Sequence, residues 1–401
     1  MKVVWITSVY PSSEQPGSGV FHETQVQALI DLGIEVTVIC PVPMAPALIQ
    51  HMRKKYRANK HIPLVYNRNG VTVYRPPYTA LPGQLRWAQP DSRIATAVLK
   101  TMADYNIDAD LIHAHFAMPS GGAAKRVAQA KNLPWVLTLH GSDVNVYPHY
   151  SKGAMKAFLQ SVKSADTVIS VGSILKEKAK ELSGRDSFHL PIGVDLSRFQ
   201  PPKQFKLEVR RQLGLPLDKK IVLFVGRLTE AKGVFELAKA LEDLPEEVAA
   251  AYVGDGPAYK KLKSHPECNQ RIFLTGQVEN SNVIDYLFAS DVFALPSYTE
   301  GMPTVVIEAL ALKIPVICSA VGGVPELFGQ HSSLLIEPQS VESLSERIRD
   351  YLYRDINLTK IGHELYCHIQ EHYDASKNAA VLGDIYSRML ESDGRLSGNT
   401  K

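Results

Sequence analysis

Three segments of the 401-residue chain place charged or polar side chains beside glycine in spacings that suit chemistry. In the first, the apolar run Ile221–Val225 leads into Gly226-Arg227-Leu228, and Lys232-Gly233 opens the next helical pattern. A strand end aims Arg227 into the crevice beyond the strands, and a helix start adds backbone donors beside Lys232. An arginine fork with a lysine point charge suits a diphosphate. In the second, Ser297-Tyr298-Thr299-Glu300-Gly301-Met302-Pro303-Thr304 runs into Val305-Val306-Ile307-Glu308. Pro303 is placed at the first helical position, where its missing N–H costs nothing, and Gly301 permits backbone approach to a ligand. Glu308 then sits about five residues inside the helix, ~8 Å along its axis. Two acceptors so spaced, with free helix amides between them, could grip both ends of a nucleotide sugar: one on sugar hydroxyls, one on ribose hydroxyls. Taken singly, each glutamate reads as a solvated side chain. A glycosidase pair is the competing reading of two carboxylates about 5–9.5 Å apart, but such chemistry has no use for a diphosphate-binding arginine and lysine.

The third segment, Thr138-Leu139-His140-Gly141-Ser142-Asp143, follows an apolar run and places His140 at a strand end. His113 and His115 alternate with Ile112, Ala114 and Phe116, so one face of that strand is polar, and packing or support of neighbouring groups suits them better than metal binding. Gly17-Ser18-Gly19 fits close backbone approach to a phosphate. Other patterns fail on context. Asp108-Ala109-Asp110 imitates a metal-binding DxD but precedes a strand. His363-Glu364 is followed by Cys367 and His368, one residue out of HExxH register. Gly254-Asp255-Gly256 is too short for a dinucleotide fingerprint. No metal and no cofactor are expected.

These segments need strands to carry them. Short β-rich runs alternate with helical patterns: Lys2–Ser8, Glu35–Cys40, Val71–Arg75, Asp110–Ala114, Trp135–Leu139, Thr167–Val171 and Phe188–Leu190, then Ile221–Val225, Ala249–Val253, Ile272–Leu274, Val292–Leu295, Val316–Cys318 and Leu334–Ile336. Helices are expected at Phe21–Leu32, Ser92–Asp104, Gly122–Lys131, Val234–Leu241 and Thr304–Leu312. Continuous apolar strands separated by helices mean parallel sheets covered on both faces. Both halves open alike, strand then glycine loop then helix, which gives an α/β class of two facing Rossmann-like doubly wound domains with a ligand crevice at their strand ends. The boundary falls in Pro191–Pro202, so residues 1–195 and 196–374 form the two domains.

Composition bounds the rest. Apolar residues make up 45% and charged residues 21%, which fits a globular protein with real cores and excludes wholesale disorder. Four cysteines, at least 49 positions apart, exclude a disulfide framework or a CxxC knuckle and suit a reducing cytosol. The N-terminal run reads as a core strand and not as a signal peptide, and Val305–Val324 carries Glu308, Lys313 and Pro315, so it is no membrane span. The formal charge of +3 hides an asymmetry: residues 1–200 hold 22 Lys+Arg against 14 Asp+Glu, a net of +8, and residues 201–401 a net of −5. The excess concentrates in 51–68, with Arg53, Lys54, Lys55, Arg57, Lys60 and Arg68, no acid, and interleaved apolar residues. That mixture suits a solvated loop or the edge of an anionic membrane; no reader motif for nucleic acid accompanies it.

Together, GSGVF, DLIHAHF, HGSD, PIGVDLSRF, GRLTEAKG, VGDGP, EGMPTVVIE and GGVPE resemble the retaining GT-B glycosyltransferases of the group 1 (family 4) class over nearly the whole chain, most of all bacterial cell-surface polysaccharide (teichuronic-acid-type) enzymes. Ile192 stands where that family has Asn. The resemblance implies a metal-independent cytoplasmic enzyme, peripheral on the inner membrane face, that moves a sugar from a nucleotide diphosphate sugar to a glycan or lipid-linked acceptor. By it, Arg227 and Lys232 neutralise the leaving diphosphate, Glu300 meets the transferred sugar and Glu308 the ribose. Gly226 and the backbone of Gly301, Met302, Pro303, Thr304 and Val305 would line the donor, with Val278 near the base. His140 would contact the sugar, Gly17 and Gly19 its phosphate, and a terminal helix at 375–395 would cross back onto the first domain, which holds the acceptor. A nucleotide-sugar 2-epimerase of the same fold, active on donor alone, and a non-catalytic nucleotide-sugar binder are the rival readings.

Overall fold

The computed structural model describes residues 1–46, 63–80, 89–354 and 356–392. Most of the basic stretch (51–62), Arg86-Trp87 and the chain beyond 392 lie outside the described residues. The chain forms two compact units, Met1–Gly193 with the chain from Ala375 onward, and Val194–Asp374.

The first unit carries β1 (Lys2–Ile6), β2 (Glu35–Ile39), β3 (Val42–Met44), β4 (Val65–Arg68), β5 (Val71–Tyr74), β6 (Pro77–Thr79), β7 (Leu111–His115), β8 (Trp135–Leu139), β9 (Thr167–Ser170) and β10 (Phe188–His189). Eight of these form one sheet in the order β10-β9-β8-β7-β1-β2-β5-β4, and β3 pairs with β6 apart from it. All neighbours in the large sheet are parallel except β4 on β5. Alternate residues of the central strands serve opposite faces. Val4, Ile6, Ile112 and Ala114 pack with the helices Asp91–Asp104, Gly122–Lys131 and Lys152–Ser164. Val3, Trp5 and Leu111 pack with Val20–Asp31 and Ala375–Ser392. Both faces being covered, β7 is buried along its whole length, and its two histidines lie in the interior instead of on a wet polar face.

The last helix, Ala375–Ser392, buries Ala375, Asn378, Ala379, Leu382, Tyr386 and Leu390, a three-to-four-residue stripe that closes the sheet's second face. Its Asn378 side chain donates to the Pro191 carbonyl at 3.0 Å, and the Tyr386 hydroxyl meets His113 Nδ1 on β7.

The second unit adds β11 (Lys220–Val225), β12 (Val248–Val253), β13 (Ile272–Gly276), β14 (Val292–Leu295) and β15 (Val316–Cys318), in the order β13-β12-β11-β14-β15 and all parallel. Each unit therefore has the doubly wound order in which the chain steps one way from its first strand and then the other. The reversal lies between β1 and β7 in one unit and between β11 and β14 in the other, and the loops leaving those strand ends diverge there.

Two local expectations change. Leu334–Ile336 is no strand: a 3-10 turn, Gly329–Leu334, consumes the first residue, and only Ile336 bridges to Ser319 while the apolar triplet fills the core. The basic stretch is not wholly loop, since Val65–Arg68 pairs antiparallel with β5. Its turn residues Asn69 and Gly70, with φ of 51° and 81°, form the paired left-handed hairpin turn that Asn-Gly favours. Arg68, counted above among the basic residues of the membrane-edge patch, instead donates from Nε to Glu23 Oε1 at 2.6 Å.

Tyr386→Ala is expected to destabilise the first unit by about 3–5 kcal/mol, a loss visible as a fall in its thermal midpoint of roughly 2–4 °C per kcal/mol. An unchanged calorimetric trace would show that the terminal helix adds little to that core.

Candidate active site

In the second unit the candidate side chains stand among three loops at the carboxyl edge of the sheet. After β11, Gly226 and the exposed Arg227 lead to a 3-10 turn, Glu230–Lys232. After β14 comes the loop 296–303, and after β15 the turn containing Gly322 and Gly323. The loops touch backbone to backbone. A Cβ on Gly233 (φ +72°) would lie 2.0 Å from the Pro296 carbonyl oxygen, and one on Gly322 (φ +55°) 1.9 Å from that of Glu300. No side chain fits at either place. Hydrogen bonds join the same partners: Tyr298 N–H to the Ala231 carbonyl at 2.9 Å, and Gly323 N–H to the Gly301 carbonyl at 2.8 Å. The Tyr298 hydroxyl donates to Glu236.

Within this frame Lys232 Nζ donates to Glu300 Oε1 at 2.6 Å, the lysine side chain 32% exposed and the glutamate 7%. Glu300 is thus a buried partner of a cation, not a solvated acid. Glu308, in helix Thr304–Ala311, is also buried, at 8% exposure. Burial pushes its carboxyl up to about 7, opposed by the Arg198 guanidinium. The solvated reading of either glutamate is therefore corrected: the apolar neighbours Val306, Ile307 and Ala309 draw this helix into the core. Pro303 is the N-cap, with φ −76° and ψ 105°, so the helix begins one residue later, at Thr304. An extended ψ at Pro303 lets the chain turn from the loop into the helix. Met302 packs in the core, with Val305 and Val278 half-buried against it. The Thr304 and Val305 amides at the start of this helix have no intrahelical partner, whereas Val306 N–H bonds the Pro303 carbonyl at 3.1 Å. Arg227 is the free cation, making no hydrogen bond or ion pair among the described residues.

In the first unit, Gly17 and Gly19 precede helix Val20–Asp31, whose third residue, His22, enters a layer of histidines at the ends of β1, β7 and β8. His140 Nε2 and His115 Nδ1 share a hydrogen bond at 2.9 Å. His115 stacks on Trp5 with centroids 4.0 Å apart. His22 Nε2 meets Thr7 Oγ1 at 3.1 Å, and His113 Nε2 meets Thr138 Oγ1 at 2.8 Å. His22, His113 and His115 are fully buried; His140, 9% exposed, is the one that reaches the surface. Burial holds all four imidazoles neutral: His140 is pushed down to about 3, and the other three well below their usual value, neighbouring rings adding to the effect. Asp143 is fully buried and accepts backbone N–H groups from Ala117 at 2.9 Å, His140 at 3.0 Å and Gly141 at 2.8 Å.

His22, His115 and His140 bring one ring nitrogen each within 4.8 Å of one another. Among the described residues they are the three that could hold a metal ion. Zinc with bonds of about 2.0–2.1 Å would require the rings to close in, and the buried carboxylate beside them, Asp143, is already engaged by three amides.

Several participants were not singled out in the sequence. Asp143 was visible in HGSD, three residues after His140, a local capping spacing. His22, Arg198 and Tyr298 carry no local signal, because their partners come from elements distant in sequence. The rejected patterns have structural uses: Asp110 accepts the Lys2 backbone N–H at 2.7 Å, and Glu364 pairs with His331 at 2.8 Å.

Comparison with known proteins adds the family. Residues 17–198 match the model described as Glycosyltransferase Family 4, and 205–364 the model described as Glycosyl transferases group 1. The chain is 55% identical over 394 residues to a Bacillus subtilis (strain 168) glycosyltransferase, TuaC, named for teichuronic acid biosynthesis, covering 98% of this chain and 100% of that one. The chain belongs to the group 1, family 4 glycosyltransferases. This glycosyltransferase also superposes on sucrose-phosphate synthase from Thermosynechococcus elongatus with a TM-score of 0.75 at 23% identity, over 98% of this chain and 100% of that one. It superposes on HepE from Anabaena, solved with UDP-glucose, with a TM-score of 0.71 at 19% identity, over 98% and 100%. Those likenesses give the GT-B fold. Among the described residues of this glycosyltransferase, no helix is long and apolar enough to cross a membrane.

The neutral histidines make stability depend on pH. An unfolded chain protonates them near 6.5, whereas the folded one does not until far lower. Their contribution is complete above about 6.5 and is lost as pH falls, by up to about 1.4 kcal/mol per pH unit for each group. Glu308 works the other way between its unfolded value, near 4.5, and about 7, since the folded state then holds the extra proton. The buried Asp143, whose carboxyl burial also raises, acts in the same sense as Glu308. With four groups against two, urea unfolding should give lower stability at pH 5 than at pH 7.5; equal or greater stability at pH 5 would mean the histidines are not held neutral.

Proposed function

We propose that this glycosyltransferase is a retaining enzyme that transfers a sugar from a nucleotide diphosphate donor to a glycan or lipid-linked acceptor in cell-envelope polysaccharide synthesis. The observation that carries the reading is the Lys232–Glu300 pair, with the exposed Arg227 on the same loop after β11 as Lys232, at the strand ends flanking the chain reversal of the second unit. Departure of a nucleoside diphosphate builds negative charge, and cations already held in place stabilise it without reorganising. Lys232 meets that need because Glu300 and the loop contacts fix its ammonium; Arg227 supplies the planar fork. Glu300, engaged through one oxygen with Lys232, retains acceptor capacity for a sugar hydroxyl. Glu308 takes the ribose hydroxyls, the backbone of Met302 to Val305, with the free amides of Met302, Thr304 and Val305, lines the phosphates and sugar beside Gly226 and Gly301, and Val278 borders the base. From the first unit, His140 serves the transferred sugar and the Gly17–Gly19 loop its phosphate.

The chemistry as assigned needs no metal and no further cofactor. TuaC likeness over nearly the full length supports the envelope-polysaccharide setting, and binding of UDP-glucose by HepE supports a nucleotide-sugar donor. The enzyme would work in the cytoplasm against the inner membrane face, with the basic residues of 51–62 toward anionic lipid.

A thermal-shift panel of UDP-glucose, UDP-N-acetylglucosamine, GDP-mannose and ADP-glucose identifies the donor, because a bound ligand stabilises by mass action. With it, Lys232→Ala is expected to lower kcat by about 10²–10³, and turnover to persist in excess EDTA. Loss of activity on chelation, or a Lys232→Ala enzyme within threefold of wild type, would refute the cation assignment. Turnover of donor with no acceptor, yielding an epimeric nucleotide sugar, would point to the 2-epimerase instead.

Glu308 makes a separate prediction. Ribose hydroxyls donate best to the ionised carboxylate, so donor affinity should rise as pH increases through about 7, where burial has placed this group. Glu308→Gln should flatten that profile. A flat wild-type titration by calorimetry would remove Glu308 from the ribose.

A further inference from the structure

The loop that carries His140 is not held by its own sequence alone. Gly141, the residue after it, has φ +132°, and the next helix, Ser142–Asn145, is a single turn. Such a junction leaves several amides pointing inward. Asp143 collects them: Oδ1 accepts from His140 and Gly141, and Oδ2 from Ala117, which belongs to the loop after β7. One carboxylate thus ties the loop after β8 to the loop after β7. The second tie between the same loops is between side chains, His115 Nδ1 on β7 with His140 Nε2 at 2.9 Å. Backbone and ring of His140 are each held from β7, and the carboxylate sits where burial leaves it no water to bond.

We propose that Asp143 is a positioning residue for the transfer reaction, acting through His140 by clamping the loops after β7 and β8 in the register that presents the His140 ring. This rests on the reading that His140 serves the transferred sugar. The geometry makes a sharp variant available. In Asp143→Asn one oxygen keeps His140 and Gly141, while the new NH2 group faces the Ala117 N–H, donor against donor. The local turn survives and the carboxylate's tie to Ala117 is lost, leaving the His115–His140 hydrogen bond as the remaining link.

The experiment measures kcat and KM with the donor identified by the thermal-shift panel, for His140→Ala, Asp143→Asn and the double variant, each checked for a cooperative thermal transition. Asp143→Asn is expected to lower kcat by about 10–100-fold with donor KM changed less than threefold. The double variant is expected to be no slower than His140→Ala alone, because a group that acts through an absent ring has nothing left to position. Losses that multiply in the double variant would make Asp143 a general support of the fold and overturn the assignment. Asp143→Asn at wild-type turnover beside an impaired His140→Ala would overturn it alone; His140→Ala at wild-type turnover would overturn the role of His140 as well. Should Asp143→Asn fail to fold, Asp143→Glu, which keeps the charge and displaces it by one methylene, is measured in the same cycle against the same outcomes.

Discussion

Two carbonyl oxygens set the geometry of the second unit's site. Those of Pro296 and Glu300 press against Gly233 and Gly322 closely enough that a Cβ would sit 2.0 and 1.9 Å away. With no room for a side chain between them, the three loops pack backbone to backbone, and on that frame the ammonium of Lys232 and the carboxylate of Glu300 meet at 2.6 Å. For a half-exposed lysine opposite a buried glutamate, this matters energetically. Glu300 without its partner would be a buried charge with nothing to answer it, which is the costly case for an ion pair. The same frame leaves Arg227 outside, exposed and uncommitted.

Electrostatics in the first unit take the opposite form. There four imidazoles are kept neutral by burial, His115 stacked on Trp5, with a buried carboxylate consumed by backbone amides. A neutral polar layer can donate and accept hydrogen bonds without adding charge, which suits a surface that meets uncharged hydroxyls. One unit thus carries an ion-paired lysine and an exposed arginine on the loop after β11, and the other offers neutral polar groups. The terminal helix completes that second face, since Tyr386 closes on His113 from the far end of the chain.

Much of this was legible in the linear chain. Apolar runs bounded by glycine marked the parallel strands, because a strand covered on both faces has to be apolar throughout. Asn69-Gly70 marks a hairpin turn within the basic stretch, a two-residue signal that the surrounding charge run obscures. Arg227, Lys232, Glu300, Glu308 and His140 were found from residue type and position after strands, which is local information. Their burial was not. The sequence around Glu308 shows one carboxylate in an apolar helix, and only the packing of that helix against the sheet turns a solvated acid into one with its carboxyl near 7.

What the sequence by itself determined is the alternation of strands and helices, the two-unit α/β class and the residues at the strand ends, since periodicity and turn chemistry act between near neighbours. Tertiary structure alone decided that Lys232 meets Glu300 across 68 positions, that His22 joins His115 and His140, and that Asp143 reaches Ala117 across 26. Those meetings depend on strand order, and strand order is chosen by how the whole apolar surface is best covered, a property that no short stretch of the chain contains.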